Sequence, residues 1–92
     1  MTAHEQHPLI RYPTDYTFKV VGPGEDRFPD LVRSIASRAL GRILHATDVR
    51  KVRPSRYGTY LAVTLAVALR GESERRAVYH AFWDCEQVLF YL

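Results

Sequence analysis

Residues 60–69 constrain the fold more than any other stretch of this chain. Leu61, Val63, Leu65, Val67 and Leu69 alternate with Tyr60, Ala62, Thr64, Ala66 and Ala68 without a break. A period of two belongs to a β-strand, because successive side chains leave the backbone on opposite faces. Large aliphatic groups fill one face and small, mostly apolar groups the other, a pattern that places the strand in the centre of a sheet. A central strand needs a neighbour on each side, and the rest of the chain has to supply them.

Asp15–Val21 supplies one. Tyr16, Phe18 and Val20 point one way and Thr17 and Lys19 the other, after which Gly22-Pro23-Gly24 punctuates the run. A helix follows, with Asp26 or Phe28 at its cap, Pro29 tolerated in the first turn and Asp30 near the positive end of the dipole. Its expected buried stripe is Phe28, Leu31, Val32, Ile35, Ala39 and Ile43, and Gly41 marks its end. Thr47–Arg53 is polar and weakly alternating, as in an edge strand protected by charge. Pro54–Gly58 then turns the chain, proline fixing one φ angle and glycine supplying a conformation that side chains resist. Beyond Gly71, Ser73 can cap a second helix that begins at Glu74 and buries Val78, Ala81, Phe82 and Cys85. Val88–Leu92 closes the chain as a short strand.

The order strand–helix–strand–strand–helix–strand, joined by right-handed crossovers, has one economical solution. It is a split βαβ sandwich of the α+β class with ferredoxin-like topology: four antiparallel strands, both helices on one face, the first and third strands central. Residues 1–14 read as a flexible leader that docks through Leu9, Ile10 and Tyr12 if it docks, and residues 15–92 as a single domain.

Composition narrows the function. The 92 residues leave no room for two cores, and one cysteine excludes an intramolecular disulfide scaffold or a cysteine zinc cage and suits a reducing compartment. The first seven residues carry no apolar segment of the signal-peptide kind, and the run 60–69 is about half of a membrane span. A cytoplasmic protein is expected.

With the elements placed, a resemblance can be read. Tyr12-Pro13-Thr14, Phe18-Lys19-Val20-Val21-Gly22, Phe28-Pro29-Asp30-Leu31-Val32, Pro54-Ser55 with Gly58-x-Tyr60, and then Tyr79, Val88 and Leu92 occur in that order. The set resembles the YbeD-like family, small bacterial proteins of unknown function, over roughly residues 12–92. The resemblance implies a fold like that of the ACT-type regulatory domains, a regulatory or ligand-sensing role, and small ligands near the strand-to-helix junction at a dimer interface. It implies no catalytic residues.

Each candidate site has an ordinary reading beside the functional one. His4 and His7 lie three apart without further ligands nearby, so no metal site is expected. His80 and Asp84 can pair as an exposed ion pair, while Cys85 points elsewhere on the helix and reads as a small buried hydrophobe. No enzyme and no cofactor are expected. Gly22, Pro23 and Gly24 lead into a helix N-terminus that can receive an anion or carboxylate, although the glycines are as well explained by turning the chain. The spacing is not that of a phosphate loop.

Arg50, Lys51, Arg53 and Arg56 gather on the second strand and its hairpin, and with Tyr60 they make an alternative nucleic-acid site. Arg56–Val63 matches the aromatic RNA-reading motif of the third strand only at Arg56, Tyr60 and, loosely, Leu61. Tyr91 is expected to join Tyr60 on the sheet face. Ala62, Thr64, Ala66 and Ala68 form a flat, weakly polar strip on the helix-free face, open to a protein partner or a second copy. The leading expectation is a non-enzymatic regulatory or protein-interaction domain able to dimerise. Nucleic-acid binding and small-ligand sensing are the alternatives.

Overall fold

Two ten-residue strands, β1 (Thr14–Pro23) and β3 (Tyr60–Leu69), pair antiparallel along their whole length in the computed structural model, which describes residues 9–92. β2 (Val49–Pro54) pairs with β3 and β4 (Phe90–Tyr91) with β1, giving the sheet order β2-β3-β1-β4. Helices α1 (Phe28–Leu40) and α2 (Glu72–Trp83) pack on one face. This is the ferredoxin-like βαββαβ arrangement expected from periodicity, with the central and edge strands in their expected places.

The core lies between the sheet and the helices. Phe18, Val20, Val63, Leu65 and Leu69 meet Phe28, Val32 and Ala36 of α1 and Val78 and Phe82 of α2, all essentially inaccessible to water. Fully burying a large apolar side chain contributes about 1.5–3 kcal/mol, so this set is the principal force holding the layers together. Phe18 stacks edge-on against both Phe82 and Tyr79, with ring centroids 5.8 and 5.0 Å away.

Several boundaries differ from the sequence reading. β1 runs through Gly22 and Pro23, which were expected to end it. α1 has Arg27 at its N-cap rather than Asp26 or Phe28, and α2 is capped by Gly71 rather than Ser73, starting two residues early at Glu72. α1 stops at Leu40 because Gly41 takes the left-handed conformation (φ 68°) and, with Arg42, returns hydrogen bonds to Arg38 and Ser37. Ile43 therefore leaves the helical stripe and is 81% exposed. Leu44 takes its place in the core, its amide donating to Ser37 Oγ (2.9 Å) and its carbonyl accepting from Arg33 Nη1 (3.1 Å). A 3₁₀ turn, Ala46–Asp48, precedes β2, whose start is correspondingly later than expected.

The last part of the expected leader is structured. Tyr12 packs against the core and its hydroxyl reaches α2, whereas Leu9 is exposed. His4 and His7 lie outside the described residues. Cys85 is half-buried, beyond the end of α2 rather than in the core, with Sγ donating to Gln87 Oε1 at 3.4 Å. No described helix is long and apolar enough to cross a membrane.

Candidate functional site

The strand register defines what the helix-free face presents. Tyr60 lies opposite Pro23, Ala62 between Arg53 and Val21, and Thr64 between Lys51 and Lys19. Ala66 faces Thr17 and Ala68 faces Asp15. Phe90 pairs with Val21, and Leu92 exchanges backbone hydrogen bonds with Lys19 (3.1 and 2.8 Å). The strip of Ala62, Thr64, Ala66 and Ala68 therefore runs down the middle of the face, as the alternation required, and no described element covers it.

What borders the strip was only partly foreseen. Tyr60 is 47% exposed, Phe90 54% and Leu92 61%. Tyr91 was expected here, but it faces the helices, with its ring 5.7 Å from Tyr79 and 6.3 Å from Phe82. Phe90 takes the outward position instead. Residues 88–92 are apolar at every position, so alternation could not choose between the two rings.

Of the expected basic set, Lys51 and Arg53 lie on the open face beside Tyr60. Arg50 falls at the irregularity between Val49 and Lys51, and Arg56 sits in the hairpin over the Tyr57 ring, 5.3 Å from its centroid. Lys19 joins Lys51 from the other side. Among the described residues none of Lys19, Lys51 or Arg53 lies in an ion pair, nor do Arg38, Arg50, Arg56 and Arg70, whereas Arg27, Arg33, Arg42, Arg75 and Arg76 each meet a carboxylate. A shallow recess of about 270 Å³ opens among Val21, Arg53, Ser55, Tyr60 and Ala62.

At the strand-to-helix junction, Gly22 lies within β1 while Gly24 bends the chain, the Glu25 amide donating to the Pro23 carbonyl (2.8 Å) around it, and neither adopts the left-handed conformation. A Cβ on Gly22 would run into the Phe28 ring and stand 2.7 Å from the Gln87 carbonyl oxygen, and one on Gly24 would strike the Gly58 carbonyl. Gly24 also donates to the Thr59 carbonyl at 2.9 Å, fastening this segment to the β2–β3 hairpin. Close approach of backbone and ring is thus a sufficient reason for both glycines. A recess of about 210 Å³ beside Pro23, Arg27, Phe28 and Gln87 lies next to them.

A polar cluster that the sequence reading did not single out joins β1 to α2. Tyr12 Oη donates to Glu72 Oε1 (2.6 Å), and Arg75 grips the same carboxylate through Nε (3.1 Å) and Nη2 (2.7 Å). The Arg75 guanidinium also lies over the rings of Tyr16 and Tyr79, whose hydroxyls are 2.9 Å apart. The hydrogen bonds from Arg75 first, and from Tyr12 next, hold Glu72 at a pKa of about 2. Burial, followed by the bond to Tyr16, pushes the Tyr79 hydroxyl well above the ordinary phenol value. Near neutral pH the carboxylate thus stays ionised and Tyr79 stays protonated, so the pair is suited to locking α2 onto the sheet rather than to exchanging protons. The spacing of Glu72, Arg75 and Tyr79 on one helical face was visible in the sequence; their partners, some sixty residues away, were not.

Between the helices, Leu31, Ile35, Ala81 and Cys85 line an open groove of about 420 Å³. Among the described residues no three His, Cys, Asp or Glu side chains gather as a metal site requires.

Fold and surface together define a small ferredoxin-like α+β domain with one bare, cation-bearing sheet face. The chain belongs to the DUF493 family, proteins of unknown function, which it matches over residues 7–92. The resemblance to small bacterial proteins of this kind is therefore sound. A UPF0250 protein of Idiomarina loihiensis is 29% identical over 86 residues, covering 91% of each chain. One of Nitrosomonas europaea is 29% identical over 87 residues (95% and 98%), and one of Ralstonia nicotianae 32% identical over 73 residues (79% and 73%). The solution structure of an H. pylori protein superposes with a TM-score of 0.66 at 18% identity, over 100% of this chain and 94% of that one. This last likeness concerns the fold alone.

Proposed function

We propose that this protein is a non-enzymatic binding module whose working surface is the open face of the sheet. The observation that carries the reading is the state of that face. Lys19, Lys51 and Arg53 stand without carboxylate partners among the described residues, beside exposed Tyr60, Phe90 and Leu92 and a strip of small side chains. Elsewhere several ionised groups are occupied with one another, as in the Arg42–Glu74 bridge (2.7 Å) that ties the segment after α1 to α2 and the Glu72–Arg75 bridge (2.7 Å) within α2. The non-enzymatic part of the reading rests on this occupation: the strongly shifted groups are committed to structural bonds.

Dimerisation through β2 has less support. Antiparallel pairing of two β2 edges would bring Arg50, Lys51 and Arg53 of one copy against the same residues of another, and like charges facing across strands are destabilising.

A matched pair of variants tests the reading. Thr64→Glu with Ala66→Glu inverts the charge at the middle of the face, and Ala39→Glu with Ala81→Glu does the same in the helix groove. Captured partners are expected to be lost from the first variant and kept by the second. Loss from the groove variant alone would move the working surface to the helices and overturn the reading.

A further inference from the structure

Resting on the sheet-face reading above, we propose that the open face binds single-stranded nucleic acid. Two aromatic rings, Tyr60 on β3 and Phe90 on β4, stand half-exposed on it. Strand spacing and rise place their Cα atoms roughly 12 Å apart. Between them lie Ala62 and Val21, small side chains that form the floor of the shallow recess bordered by Tyr60 and Arg53.

A flat floor with isolated rings is suited to planar bases that stack, a sequence-tolerant interaction available to every nucleotide. A folded protein partner packs by interdigitating side chains, and the small side chains Ala62, Thr64, Ala66 and Ala68 of the strip offer it no knobs.

Charge selects the same partner. Lys51 and Lys19 flank Thr64 from opposite sides and Arg53 flanks Ala62, so the cations run alongside the floor, as backbone phosphates require. From Val49 to Gly71 the chain carries five basic residues and no acidic one, and on the open face Asp15 stands at the far end from the two rings. Bases paired in a duplex present no exposed ring faces to Tyr60 and Phe90, so single strands are the form that uses both features. Two of the participants, Lys19 and Phe90, become part of the surface only through the register of β1 with its neighbours.

The test is fluorescence anisotropy of a labelled twelve-nucleotide oligothymidine with the full chain, across a salt series beginning near 20 mM. Binding is expected to weaken as salt rises. Neutralising Lys19, Lys51 and Arg53 to glutamine should reduce the slope of log affinity against log salt by about 2, since each phosphate contact on a single strand contributes about 0.7. Neutralising Arg27, Arg38 and Arg76 on the helix side makes the same change in net charge and should leave the slope as it was. Tyr60→Ala and Phe90→Ala should each weaken binding about tenfold at fixed salt with the slope unchanged. The matching duplex should bind more weakly than the single strand.

Equal effects of the two triple substitutions would mean that net charge alone attracts the oligonucleotide, and would overturn the proposal. So would tighter binding of the duplex, or no binding at 20 mM salt. If the oligonucleotide fails but an oligoglutamate peptide perturbs the backbone amides of Ala62, Thr64 and Ala66, the sheet-face reading survives with an acidic protein as partner and the nucleic-acid proposal falls. If both ligands leave those amides unmoved while perturbing the helix groove, the sheet-face reading falls as well.

Discussion

Alanine at Gly22 adds a single methyl group, and the structure leaves it nowhere to go. Its Cβ would overlap the Phe28 ring and approach the Gln87 carbonyl oxygen to 2.7 Å. Phe28 is 1% exposed and opens α1, so its ring cannot swing into solvent without giving up core burial. The Gln87 oxygen belongs to the backbone segment that leads into β4, and moving it disturbs the neighbouring bond from the Leu89 amide to the Val21 carbonyl (2.9 Å). Overpacking a dense core costs about 1–3 kcal/mol, and a clash with both a buried ring and backbone puts Gly22→Ala near the top, at about 3 kcal/mol. For a domain of this size that lowers Tm by about 12–24 °C. Thermal unfolding followed by circular dichroism measures it.

Phe28→Leu is itself destabilising, but it removes the ring that the methyl strikes. The double variant should therefore be more stable than the sum of the single effects by about 1 kcal/mol, with the Gln87 contact left to limit the rescue. A Gly22→Ala protein that melts within about 2 °C of the parent would refute the packing explanation. If that protein had also lost affinity for a small anion, the glycine would belong to a ligand site instead.

Other outcomes follow from the same geometry. Gly41→Ala places a side chain in the left-handed region (φ 68°) with open space around it, so the cost should be backbone strain alone, about 1–2 kcal/mol by urea unfolding. A double-mutant cycle on Arg42 and Glu74, whose side chains are 26% and 20% exposed, should give a coupling of about 1 kcal/mol, and a value near zero would remove the bridge from the account of how α2 is held. Glu72 is depressed from 4.5 to about 2, so its contribution is fully present above pH 4.5 and is lost as pH falls toward 2. Glu72→Gln should flatten the decline of stability with acid across that window, and an unaltered profile would show that the carboxylate is not held as the Arg75 and Tyr12 contacts imply.

The sheet was legible wherever alternation and sequence-local spacing decide the outcome. Residues 60–69 named their own two faces, and the three-four spacing from Phe28 to Ala39 found α1 along with the glycine that ends it. Ile43 departs from that spacing because the chain turns at Gly41, and Leu44 reaches the core instead. The close approaches at Gly22 and Gly24 were invisible because their neighbours, Phe28, Gln87 and Gly58, come together only when the layers close. The same holds for Tyr12 with Glu72 and Tyr16 with Tyr79, pairs separated by 60 and 63 positions. The candidate surface was half legible: the small strip and Lys51, Arg53 and Tyr60 could be read from β2, β3 and their hairpin. Lys19 alternates correctly on β1 but joins them only through the pairing of Thr64 with both Lys19 and Lys51.

Backbone amide mapping by ¹⁵N–¹H correlation spectra during titration with oligothymidine is the most direct measurement of where this protein binds. Shifts are expected at Lys19, Val21, Lys51, Arg53, Ala62, Thr64 and Phe90, with the α1 and α2 amides unmoved. Shifts centred on the helix groove around Ile35, Ala81 and Cys85, with the sheet amides silent, would contradict the assignment of the open sheet face as the working surface.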